Sequence, residues 1–72
     1  MWQYLVAHFG TGSAGGGQWR LPPESEALSM ELGDSLQEGC AALGQRGWEL
    51  VGVTRAGAST ATTFTLFFKK PA

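Results

Sequence analysis

Seventy-two residues are enough for one small domain and too few for two. Apolar residues make up 43% of the chain and charged ones only 15%, which favours folding over disorder and leaves a charge-poor surface. The formal net charge is −1, and of the basic residues Arg20, Arg46, Arg55, Lys69 and Lys70 only the last two adjoin, so no patch for nucleic acid or an anionic membrane is visible.

A chain this short buries only about 60% of its unfolded surface, so its core needs reinforcement. Cys40 is the single cysteine, which excludes an internal disulfide. His8 is the single histidine and no Cys/His pair has ligand spacing, so no metal or other cofactor is expected. Self-association remains. The opening "MWQYLVAHFG" lacks the basic region and long apolar core of a signal peptide, and no run approaches the ~20 apolar residues that span a bilayer. With its lone cysteine suited to a reducing compartment, the chain is expected in the cytoplasm and off membranes.

In chain order, "WQYLVAHF" (2–9) is rich in aromatic and β-branched residues and ends at Gly10, the mark of a strand. Residues 10–17 hold five glycines with a serine and a threonine, which predicts a flexible loop with no essential role in folding. "QWRL" (18–21) can pair back as a short strand before Pro22-Pro23 stops it. Ser25 can cap a helical turn through Met30, interrupted by Gly33. Asp34 is the stronger cap, opening a helix of about 13 residues with Leu36, Cys40 and Leu43 on one apolar stripe. Arg46 and Gly47 close it. "WELVGVT" (48–54) and "TTFTLFFK" (62–69) are two further strands joined by "RAGAST". The expected fold class is α+β: one helix on one face of an antiparallel sheet of three strands, or four if "QWRL" joins, in the order β-(β)-α-β-β.

"LGQRGWELVGV" followed by "FTLFFKKP" resembles the small bacterial proteins of the domain of unknown function 4177 family. Leu43, Gly44, Gly47, Trp48, Glu49, Leu50 and Val51 match its central segment. Phe67, Phe68, Lys69 and Pro71 match its end, and "WQYLV" is similar to its opening. The resemblance implies this fold and no activity. The glycine-rich stretch and "PPESEALSMEL" fall outside it and read as an insertion.

Candidate chemistry is sparse. "GTGSAG" (10–15) fits the G-x-G-x-x-G dinucleotide fingerprint by letter, but two further glycines and two prolines follow within nine residues, where that site needs a helix to begin at once. His8 has no nucleophile or orienting acid near it in sequence. Cys40 on the apolar stripe reads as a small core residue, no serine sits in a nucleophile elbow, and the carboxylates form no acid–base pair. The expectation is a non-enzymatic, homo-oligomeric interaction module that contacts another protein. The alternative is a small-molecule binder or minor enzyme with its site between the glycine-rich loop and the sheet.

Counting even and odd positions along the strands divides the sheet. Even positions supply the expected core, with Trp2, Tyr4, Val6, Trp48, Leu50, Phe64, Leu66 and Phe68 meeting Leu36, Cys40 and Leu43. Odd positions supply the expected interface: Leu5, Ala7, Phe9, Val51, Val53 and Phe67, with Glu49 and Lys69 at the rim. Trp19, after the glycine run, is expected to be an exposed anchor for a partner or a neighbouring subunit.

Overall fold

The computed structural model describes residues 1–11, 17–58 and 61–72. Its elements are strand β1 (Trp2–Thr11), strand β2 (Gly17–Arg20), a 3-10 turn (Pro23–Ser25), helix α1 (Glu26–Ser29), helix α2 (Leu36–Gln45), strand β3 (Glu49–Ala58) and strand β4 (Ala61–Pro71). The four strands form one antiparallel sheet in the order β2-β1-β4-β3. The chain is therefore α+β, with the fourth strand present and two helices on the sheet.

The glycine-rich stretch is less of a loop than its composition suggests. Gly10 and Thr11 extend β1, Gly17 opens β2, and Thr11 pairs with Gly17. Residues 12–16 lie outside the described residues. Among the described residues the next element after β1 is the strand β2 and not a helix whose N-terminus could meet a pyrophosphate. The later strands also run longer than predicted, because Arg55–Ala58 still pair with β4.

Helix α2 begins at Leu36, so its cap lies one residue after the expected Asp34. Ser35 is the cap: its Oγ accepts from the Glu38 backbone N–H at 3.1 Å and donates to the Glu38 carboxylate at 3.0 Å. The two side chains thus secure the first turn in the manner of a capping box. At the other end Gly47 adopts φ 92°. Its N–H bonds to Gly44 O and that of Trp48 to Leu43 O, both at 3.0 Å, which is the Schellman closure. Ser25 stands at the cap of α1 but makes no side-chain capping bond.

The core reverses half of the even/odd assignment. Leu5, Ala7, Phe9 and Trp19, expected at an interface, are buried with Leu32, Leu43, Leu66 and Phe68. Trp2, Tyr4, Val6 and Leu50, expected in the core, are exposed. The cause is register. Leu5 faces Phe68, Ala7 faces Leu66 and Phe9 faces Phe64, so odd positions of β1 share a face with even positions of β4. Phe9 also faces Trp19, which brings β2 onto the same side. A bulge between Leu50 and Gly52 then shifts the parity again within β3.

Trp19 is an anchor, but an internal one. Its indole N–H donates to Ser35 O at 3.2 Å, and its ring lies 5.1 Å from that of Phe9. A Cβ on Gly39 would overlap the indole, so the glycine lets α2 sit directly on β2. The "PPESEALSMEL" segment is no passive insertion either, since Leu32 is fully buried and Leu28 packs on the core. Ten helical residues measure about 15 Å and ten strand residues about 33 Å. The helical layer cannot cover the whole sheet, and much of β3 is left open, with Leu50 and Val53 exposed on the helix side.

Candidate functional site

Among the described residues no helix covers the opposite face of the sheet. The register places Trp2, Tyr4, Val6, His8 and Gly10 there from β1, and Lys69, Phe67, Thr65 and Thr63 from β4. Strand β3 adds Glu49, Gly52, Thr54 and Ala56, and β2 adds Arg20 and Gln18. This face has two ends of different character.

The first end is apolar. Tyr4 is 72% exposed, Trp2 47%, Val6 39% and Phe67 39%. Val51, in the bulge beside Gly52, is 50% exposed. Lys69 sits between Tyr4 and Glu49 in one cross-strand row, and its Nζ lies 4.2 Å from the Trp2 ring centroid, a cation–π contact. Of the seven predicted interface residues, only Val51, Val53 and Phe67 are exposed, and they do not form one surface. Val53 pairs with Leu66 on the helix side, whereas Phe67 pairs with Val6 on the open side.

The second end is polar and recessed. A cleft of about 450 Å³ is lined by His8, Gly10, Thr11, Gln18, Arg20 and Thr63. Arg20 stands directly across from His8 and Gln18 across from Gly10. His8 Nδ1 lies 3.2 Å from Thr65 Oγ1. These residues were missed as a group because only the pairing of β1 with both β2 and β4 assembles them. The one signal available was that "QWRL" can fold back on the first strand.

A second cleft, of about 560 Å³, lies on the helix side among Glu24, Leu28, Glu31, Arg46, Trp48 and Lys70. Three of its charged groups are engaged within the chain. Arg46 pairs with Glu31, and Lys70 Nζ lies 4.6 Å from the Trp48 ring centroid. Cys40 is half-buried, and burial pushes its thiol above its ordinary pKa, the opposite of what a thiolate nucleophile needs. Among the described residues no three His, Cys, Asp or Glu side chains cluster as metal ligands, and no helix is long and apolar enough to cross a membrane.

No family model matches the chain, and no curated protein or solved structure is found to be similar to it. The functional reading therefore rests on the two ends of the open face.

Proposed function

We propose that this chain is a non-enzymatic interaction module of the cytoplasm that works as a homo-oligomer, using the apolar end of its open sheet face. The observation that carries this is the joint exposure of Trp2, Tyr4, Val6, Val51 and Phe67 on or beside one helix-free surface. Grouped apolar exposure of this kind marks contact sites on small proteins. A second copy is the occupant favoured by charge. Lys69 and Glu49 are cross-strand neighbours, so a two-fold partner can set an opposite charge against each. The outer edge of β3 is the weaker candidate, because its bulge and Arg55 are the usual guards against edge pairing. We further propose kinship with the domain of unknown function 4177 family, on the strength of Leu43–Val51 and Phe67–Pro71.

Sedimentation of the wild type beside Phe67→Asp tests the assembly. Wild type should associate at micromolar concentration, and the variant should run as a folded monomer with unchanged far-ultraviolet dichroism. A wild type that stays monomeric across that range overturns the reading. A second reading, a small-ligand binder sited between the glycine-rich stretch and the sheet, is favoured by the recess over Gly10.

A further inference from the structure

We infer that the recess over Gly10 is a binding site for a small phosphate-bearing molecule. This rests on the second reading, the small-ligand binder, and names its ligand class; it does not depend on the interaction module, because the recess lies at the other end of the face.

The recess exists because one side chain is absent. Gly10 occupies the middle of a cross-strand row, with Gln18 on one side and Thr63 on the other, and Arg20 and His8 in the next row. A Cβ at Gly10 would meet only Thr63 Oγ1 at 3.8 Å and Thr62 O at 4.0 Å, and the glycine is not in a left-handed conformation. The backbone therefore does not require glycine here. What glycine supplies is space: the cleft of about 450 Å³ is within the size range of small-ligand sites.

The walls are donors. Arg20 brings a guanidinium fork, Gln18 an amide and Thr63 a hydroxyl, and His8 keeps Nε2 as its second ring nitrogen beside the Nδ1–Thr65 contact. No carboxylate lines the cleft, and among the described residues Arg20 joins no ion pair. An unpaired guanidinium among neutral donors suits an anion. The donors come from three strands around one point rather than from one plane. Three terminal phosphate oxygens can meet them, whereas a planar carboxylate with two cannot reach all sides. The volume left above Gly10 accommodates a small organic tail.

The test follows backbone amide shifts by NMR as wild-type protein is titrated with inorganic phosphate and then phenyl phosphate, sodium chloride holding ionic strength constant. Saturable shifts confined to residues 8–11, 17–20 and 62–65 are expected. Arg20→Gln should weaken binding about tenfold or more, the effect of losing a charge-assisted hydrogen bond. Gly10→Val, which fits a strand backbone, should abolish saturation while leaving the rest of the spectrum folded. Phe67→Asp should bind as wild type does, which separates this site from the assembly surface. Non-saturating shifts spread over the whole surface, or wild-type binding by Arg20→Gln, overturn the proposal.

Discussion

Phe67 and Phe68 are chain neighbours with opposite fates. Phe68 is 1% exposed beneath the helical layer, and Phe67 is 39% exposed on the face that has none. Side chains alternate along a strand, so the same residue type one step apart reports on both sides of the sheet. The covered side is a core held by shape. The open side is a surface whose apolar residues add little to the fold of one copy. Truncation of each ring should expose this difference most strongly. Phe68→Ala should lower the unfolding free energy by about 3–5 kcal/mol, the usual cost of emptying a buried phenylalanine site. Phe67→Ala, read at dilution where copies are separate, should cost under about 1 kcal/mol. Chemical denaturation of the two variants side by side checks the pair, and equal losses would mean that the faces are wrongly assigned.

The two helical glycines sharpen the comparison within the covered side. A Cβ on Gly39 would overlap the Trp19 indole, which is buried and hydrogen-bonded to Ser35, so it cannot easily swing away. A Cβ on Gly44 meets nothing within 4 Å. Alanine is the better helix former by about 1 kcal/mol at either position. Overpacking costs about 1–3 kcal/mol, so Gly39→Ala should destabilise despite that gain. Gly44→Ala should be neutral or raise stability by up to about 1 kcal/mol. Thermal melts of opposite sign would establish that α2 rests on β2 through Trp19.

Much of this arrangement was legible in the sequence, and the part that was not has one physical cause. Strand residues announce themselves by type, and the stripe of Leu36, Cys40 and Leu43 with Gly47 behind it announces a helix. Those are local signals, and they led to the right elements. Which face of β1 turns inward is not local. It depends on the register with β4, and the bulge at Leu50/Gly52 breaks any parity carried along the chain. Placing Trp2 and Tyr4 rather than Leu5, Ala7 and Phe9 in the core carried one even/odd parity across all strands, and the pairing of β1 with β4 overrules it. Leu32 was missed because Gly33 and Asp34 break the helical pattern between it and Leu36, although it keeps the same four-residue spacing. The recess over Gly10 was illegible for the same reason as the faces: an absent side chain becomes a site only once neighbouring strands are in register.

A smaller effect belongs to the start of α2. Ser35→Ala removes the hydroxyl that accepts from the Glu38 N–H and leaves that donor to water. The Trp19 bond to the Ser35 carbonyl is to backbone and survives. The expected cost is about 1 kcal/mol, well below that of Phe68→Ala, and equilibrium denaturation resolves it. A loss as large as a core truncation would mean that the cap also holds β2 in place.

The smallest effect distinguishes the covered side by its pH response. Cys40 lies half-buried on α2, packed against the core, and burial raises its thiol pKa in the folded chain. The unfolded chain therefore ionises this thiol first as pH rises through the ordinary thiol range near about 8.5. The unfolded state then binds fewer protons than the folded one, and the unfolding free energy falls with rising pH. The contribution from Cys40 is thus fully present below that range and is lost as pH climbs through the raised folded value. Other groups titrate at high pH, so the measurement is a difference. Wild type should lose slightly more stability than Cys40→Ala between neutral pH and the alkaline side of the thiol range, with the two curves parallel below it. Parallel curves throughout would place Cys40 in water, and the helix would then present a different stripe to the sheet.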